Sequence, residues 1–158
     1  MVDLNSNLYP VVENENSVEV VIVEDSIDDS ELTRLAMLQA SDSIRFRSFT
    51  DGLDALNFIY SKKKYEGNEV QAKLKFVILD IGLPTISGLD MLKKIREEAG
   101  TKKLPVIILT NSIDERDMNS AYELGANSYV VKPNGYYGYI DKIKSLAYYW
   151  GSVNEKFH

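Results

Sequence analysis

Residues 75–84, KFVILDIGLP, set the terms on which this chain can fold. Phe76, Val77, Ile78 and Leu79 are apolar without a polar residue between them, and the run stops on Asp80 before a turn through Gly82 and Pro84. Such a run predicts a central strand of a parallel sheet, covered on both faces, because a half-solvated antiparallel strand would alternate. Sheets of that kind bind their ligands beyond the carboxyl ends of the strands, where the strand order reverses. Asp80 is placed there. Taken alone, an acid after a strand is an ordinary turn former or helix cap, so its meaning depends on what ends the other strands.

The rest of the chain alternates around that run. Val18–Val23 predicts a first strand, and it ends on Glu24 and Asp25. Ser26 with Asp29 has the spacing of a capping box ahead of a helix through about Ala40. Ile44–Phe49 reads as a strand nearer the sheet's edge, Asp51-Gly52 as a turn, and Leu53, Leu56 and Tyr60 as one face of a helix that frays at Ser61–Lys64. Tyr65–Lys73 has no clear period and reads as a loop. Ser87 with Asp90 repeats the capping spacing, and Leu89, Leu92, Ile95 and Arg96 predict a helix that Gly100 can end. Pro105–Thr110 is another continuous apolar strand, ending on a hydroxyl. A helix over Asp114–Leu124 with Gly125 at its stop, a strand at Ser128–Val131, and a last helix carrying Ile140, Ile143, Ala147 and Trp150, capped by Gly151, complete the series.

Strict alternation of five strands and five helices predicts an α/β, doubly wound parallel sheet with the order 2-1-3-4-5. The expected division is a loosely ordered tail over 1–17, one domain over 18–151 and a short tail over 152–158. At 158 residues one sizeable core is available. There is no cysteine, which excludes a disulfide framework and a thiolate metal site. Residues 1–17 have neither a basic start nor an apolar core, and no window approaches a membrane span. A cytoplasmic protein without a membrane partner is therefore expected. The formal charge of −6 argues against a large phosphate-binding surface, so no nucleic-acid partner is expected.

The carboxyl edge of the expected sheet collects Glu24 and Asp25, Asp80, Thr110 and Lys132. Clustered carboxylates raise one another's pKa and hold protons unless a cation is present. Magnesium, which takes oxygen ligands and commonly one or two carboxylates, suits the set. Asp25 and Asp80 are the candidate direct ligands, with Glu24 acting through water and the Gly82 carbonyl closing the shell. A carboxylate can itself attack phosphorus to give an aspartyl phosphate. Phosphoryl transfer asks chiefly for positioning and neutralisation of the equatorial oxygens, which Mg2+ and Lys132 would supply, with a hydrogen bond from Thr110.

VIVED at 21–25, VILDIGLP at 77–84, VIILTNS at 106–112 and YVVKP at 129–133 together resemble the receiver domain of bacterial two-component response regulators, the CheY-like fold, over about residues 18–150. The resemblance implies that Asp80 is the phosphoacceptor, that Glu24 and Asp25 serve Mg2+, and that Thr110 and Lys132 contact the phosphoryl group. It implies a switch in which Thr110 moves toward the phosphate and Tyr129 turns inward. It also implies a cis bond at Lys132-Pro133. Gly82 and Asn111 depart from the commonest pattern beside the phosphate, where Asn111 would narrow access to Asp80, and Asn134-Gly135-Tyr136 replaces the familiar entry to the last helix.

The loop at Tyr65–Lys73 and the aromatic last helix are similar to stand-alone receivers, including those serving cyanobacterial phytochromes. Tyr136, Tyr137, Tyr139, Tyr148 and Tyr149 cannot all face the core beside Ile140, Ile143 and Ala147, and with Trp150 at the helix end they are the expected interface for a homodimer or another partner. Only eight residues follow Trp150 and the only histidine is His158. The expectation is thus of output through another protein and of an external histidine kinase or histidine phosphotransfer protein as phosphoryl source. Two alternatives stand beside this reading. One is a phosphorylation-independent interaction module with the same fold. The other is a magnesium-dependent phosphatase with an aspartyl nucleophile, which calls for a second Asp where Gly82 stands. A flavin-binding protein would need a phosphate loop in place of Glu24-Asp25.

Overall fold

The computed structural model describes residues 17–63 and 74–156. The expected tail as far as residue 16, the loop at Tyr65–Lys73 and His158 lie outside them. Strands β1 (Val20–Val23), β2 (Phe46–Phe49), β3 (Phe76–Leu79), β4 (Val106–Thr110) and β5 (Ser128–Val131) alternate with helices α1 (Ile27–Ala40), α2 (Gly52–Lys63), α3 (Gly88–Glu97), α4 (Glu115–Glu123) and α5 (Tyr136–Tyr148). All strand pairs are parallel and the order is β2-β1-β3-β4-β5. This is the doubly wound sheet that the alternation predicts.

Every residue of β1, β3 and β4 is buried, whereas the edge strands β2 and β5 contain no fully buried residue. The period of two along each strand divides the interior into two cores. Val21, Val23, Val77, Leu79, Val106 and Ile108 face Leu56 and Ile59 of α2, Met91, Leu92 and Ile95 of α3, and Ala121 of α4. Val20, Ile22, Phe76, Ile78, Ile107 and Leu109 face Ala36 and Met37 of α1 and Tyr139, Ile140, Ile143 and Ala147 of α5. The sheet is thereby fixed from both sides, and its carboxyl edge is held level. Val23 pairs with Leu79, and Leu79 with Ile108, so the chain leaves β1, β3 and β4 beside one another.

Capping follows the sequence signals. Ser26 accepts from the Asp29 amide and Ser87 from the Asp90 amide. Asp51 lies ahead of α2, accepting from the amides of Leu53 and Asp54 and from the Thr85 hydroxyl at 2.8 Å. Thr85 takes a left-handed backbone with φ of 67°, and this bond ties its loop to the start of α2.

Other ends differ from expectation. Helix α3 stops at Glu97 rather than at Gly100, because the Thr101 hydroxyl donates to the Ile95 carbonyl at 2.8 Å and turns the chain away early. Arg96 is more than a helical face residue. It donates to the Leu104 and Gly125 carbonyls and to the Asn127 side chain, at 2.7–2.9 Å, bridging the entries to β4 and β5. Gly151 is not a cap either: the chain continues from α5 into a π-helical turn, Tyr149–Val153. There the Gly151 carbonyl accepts from Lys75 Nζ at 3.2 Å.

Candidate functional site

The three acids and the lysine are brought together by backbone pairing at the strand ends. The Asp80 amide donates to the Val23 carbonyl at 3.1 Å, and the Glu24 amide to the Phe49 carbonyl at 2.9 Å. The Lys132 amide donates to the Thr110 carbonyl at 2.7 Å, extending the β4–β5 ladder one residue beyond Val131. Side chains at these positions therefore enter one cleft, lined by Glu24, Asp25, Asp29, Asp80, Thr110, Asn111 and Lys132 among others. Its floor is buried: Glu24, Asp80, Thr110 and Lys132 are all less than a tenth exposed. Asp25 and Asn111 stand at the open mouth.

Lys132 organises the charge. Its ammonium donates to Glu24 Oε2 at 2.5 Å, to Asp29 Oδ2 at 2.7 Å and to Asp80 Oδ2 at 2.8 Å. An ammonium has three N–H groups, and each has a carboxylate. Burial opposes the charged lysine, yet those three partners outweigh it and raise its pKa above the ordinary value. Burial likewise opposes the Asp80 carboxylate, and its bonds to Lys132, with help from Thr110, bring its pKa below the usual value. Glu24 behaves differently. Burial pushes its carboxyl up to about 7 against the pull of Lys132 and the Ser26 amide, with the Asp80 charge adding to the rise. The two acids therefore divide the roles, Asp80 ionised and Glu24 sharing a proton near neutrality.

Glu24, Asp25 and Asp80 each offer an oxygen within 4.8 Å of the others. An all-oxygen set of carboxylates, one exposed and one inclined by burial to hold a proton, fits a hard divalent ion. A divalent cation must then displace the Glu24 proton. Mg2+ affinity is expected to rise with pH through about 7 and level off above it, with Glu24→Gln flattening the profile. Calorimetric titrations at pH 5.5, 6.5 and 8 check this; equal affinities in the wild type at all three would contradict it. The sign for stability is the reverse. A carboxyl raised from 4.5 to about 7 stabilises the metal-free fold below 4.5, and that contribution is lost as pH rises through 7.

The remaining sequence candidates fall around the cleft. The Gly82 amide lies 3.4 Å from Asp80 Oδ1, which places its peptide beside the acceptor carboxylate. Thr110 Oγ1 accepts from the Ser112 amide at 3.3 Å. The Tyr129 hydroxyl donates to the Ser112 carbonyl at 3.0 Å, with the ring half-buried. The Lys132-Pro133 bond is trans, against expectation. X-Pro bonds retain a trans preference, and the pairing of the Lys132 amide with Thr110 aims the side chain without a cis bond.

The tyrosines divide. Tyr136, Tyr137, Tyr148 and Tyr149 are exposed. Tyr139 is removed from the expected interface, being buried with its hydroxyl 2.9 Å from that of Thr33 in α1. Trp150 is half-buried against the α1–α5 core, so it too faces inward. One site residue was not singled out as such from sequence. The sequence marks Asp29 only as part of a capping box, and its partner Lys132 lies 103 residues away, beyond any local pattern.

Residues 20–143 match the response regulator receiver domain family. The response regulator Rcp1 of Synechocystis sp. is 28% identical over 131 residues, 83% of this chain and 87% of that protein. A response regulator receiver domain from Rhodospirillum rubrum has a crystal structure that superposes with a TM-score of 0.75 at 32% identity, covering 87% of this chain and 95% of the other. The Mn(2+)-bound form of response regulator Rcp1 superposes with a TM-score of 0.75 at 27% identity, covering 89% and 99%. Among the described residues no helix is long and apolar enough to cross a membrane.

Proposed function

The chain belongs to the response regulator receiver domain family, and from that premise we propose that Asp80 accepts a phosphoryl group from a histidine kinase or histidine phosphotransfer protein and that the phosphorylated site switches a partner-binding surface. The single observation that carries this reading is the buried Asp80–Lys132 pair at 2.8 Å beside two further acids. Asp80 is the nucleophile. Its carboxylate oxygen forms a bond to phosphorus as the donor's nitrogen–phosphorus bond breaks, and the leaving imidazole keeps the electron pair. Lys132 holds Asp80 ionised and aimed before the reaction, and neutralises a phosphoryl oxygen as charge spreads over it.

Glu24, Asp25, Asp80 and the Gly82 carbonyl would hold Mg2+, which supplies charge neutralisation at the transferring oxygens when bound. Support for a divalent ion comes from the oxygen cluster and from the manganese in the Rcp1 structure. The Thr110 hydroxyl, on the last residue of β4, donates to a phosphoryl oxygen, while Asn111 stands at the mouth. Tyr129 turns inward only after giving up its bond to the Ser112 carbonyl, a bond that sets the resting position of the ring. The exposed tyrosines of α5 and its extension are the surface offered to a partner, either a second copy or another protein.

Intact mass after incubation with Mg2+ and acetyl phosphate tests the assignment. The wild type is expected to gain one phosphoryl group that requires Mg2+, and Asp80→Asn to gain none. Modification that persists in Asp80→Asn, or no modification of the wild type by acetyl phosphate or by a phosphorylated histidine donor, would sink it.

A further inference from the structure

The loop that leaves the acceptor is held in an unfavourable shape. Its two ends meet on one atom: the Ile81 carbonyl accepts from the Leu83 amide at 3.0 Å and from the Gly88 amide at 2.8 Å. Between them the Ile86 amide donates to the Pro84 carbonyl at 2.7 Å, closing a γ-turn around Thr85. With φ of 67° this is the strained form of that turn, and Thr85 is the one non-glycine residue with positive φ among the described residues. A β-branched side chain is a poor occupant of that region, where its Cβ crowds the following carbonyl. Backbone strain of this kind persists only where the surroundings enforce it.

The enforcing contact comes from the start of α2. The Thr85 hydroxyl donates to Asp51 Oδ2 at 2.8 Å, while Asp51 Oδ1 accepts from the amides of Leu53 and Asp54. One carboxylate is thus both cap and clamp, and the Thr85 hydroxyl, ahead of the amides, holds its pKa below the usual value. Gly52 lets the two segments close, since a Cβ there would fall 2.7 Å from Ile86 Cγ2. Three residues before Thr85 stands Gly82, which lines the cleft and whose carbonyl accepts no backbone hydrogen bond among the described residues. A carbonyl that its own loop leaves open is available to a hard cation.

Resting on the reading of Gly82 as a metal ligand beside the acceptor Asp80, we propose that Thr85 is a positioning residue that acts through the Gly82 peptide: clamped to Asp51, it keeps residues 82–84 folded so that the Gly82 carbonyl is presented to the ion. Without the clamp, Thr85 relaxes to negative φ and the turn between Pro84 and Ile86 opens. Pro84 has its own φ fixed by the ring, so it passes the rotation on toward Leu83 and Gly82 rather than absorbing it. The Gly82 peptide then samples orientations that the ion cannot use. Binding has to order the loop as well, and the affinity falls by that cost.

A clamp of this kind has a signature that a structural prop does not share. The experiment uses the full chain carrying Thr85→Val, which keeps the shape and loses the hydroxyl, and Asp51→Ser, which keeps a cap for α2 and loses the second oxygen. The double variant and Thr85→Ser complete the set. Calorimetry measures Mg2+ affinity, melting in chelator measures the fold, and intact mass after acetyl phosphate measures the acceptor. Thr85→Val and Asp51→Ser are each expected to loosen Mg2+ about two- to tenfold, the span of one net hydrogen bond. The double variant should loosen it no further, because both changes remove the same bond, and Thr85→Ser should bind as the wild type does. At saturating Mg2+ every variant should still gain one phosphoryl group. Melting temperatures that fall while Mg2+ affinity stays at the wild-type value, or single losses that multiply in the double variant, overturn the role of Thr85 and leave Asp80 standing. A wild type that binds no Mg2+ and takes no phosphoryl group overturns both.

Discussion

Lys132→Met is expected to lower the stability of the metal-free protein at pH 7 by about 3–5 kcal/mol, the range found when one partner of a buried ion pair is removed. The methionine fills much of the same space, so the loss is electrostatic. Glu24 and Asp80, both nearly inaccessible, would keep their burial and lose the cation that offsets it. They respond by taking up protons, so their folded pKa values rise. A carboxylate with a raised folded value stabilises at low pH and loses that contribution as pH rises through it. The defect should therefore shrink toward pH 5 and deepen toward pH 8. Saturating Mg2+ should recover part of it at pH 7, since a ligand that binds only the folded state stabilises by mass action. Urea unfolding in chelator and in Mg2+, at three pH values, measures all of this. A loss under about 1 kcal/mol at pH 7 in chelator would show that Lys132 does not carry the site's charge balance.

Gly88→Ala should be nearly as damaging by a different route. A Cβ built at Gly88 falls 2.0 Å from the Asp80 carbonyl oxygen and 2.8 Å from the Ile81 Cα. These are backbone atoms and cannot swing aside. Gly88 also donates from its amide to the Ile81 carbonyl at 2.8 Å, so the start of α3 is seated directly on the acceptor's own peptide. Overpacking against a fixed backbone costs about 3 kcal/mol at the upper end of its usual range. The relief available is movement of residues 80–81, which displaces the Asp80 carboxylate from Lys132. Gly82→Ala is the control. Nothing lies within 4 Å of a Cβ there, and its backbone is not left-handed, so stability should stay within about 0.5 kcal/mol of the wild type. Melting curves of the pair decide the matter: comparable losses in both, or in neither, would refute the close approach.

The contrast between these glycines indicates what a sequence can and cannot disclose. Periodicity located β3 to the residue, and the acids, hydroxyl and lysine at successive strand ends were legible because parallel topology makes strand ends converge. The sequence signals are local, however, and most of the departures from them concern contacts between distant residues. Asp29 carries an unremarkable helix-start pattern, and only the fold brings it to Lys132. Tyr139 sits among exposed tyrosines, and its burial depends on Thr33 meeting it from α1. Gly151 looks like a stop, yet the chain continues there because a lysine before β3 reaches its carbonyl. Arg96 has the spacing of a helix face, while its bonds run to carbonyls that arrive 8 and 29 residues later.

The level register of the sheet has a consequence for how such a chain can change in length. Side chains alternate along each strand, so deleting one residue inside β1, β3 or β4 would exchange the faces and carry a site residue out of the cleft. The connections that enter the strands from the opposite edge, residues 41–45 and 98–105, contribute nothing to the cleft lining. Insertions are therefore tolerable along one rim of the molecule and ruinous along the other, and lineages of this protein should record that asymmetry as length variation confined to a single edge.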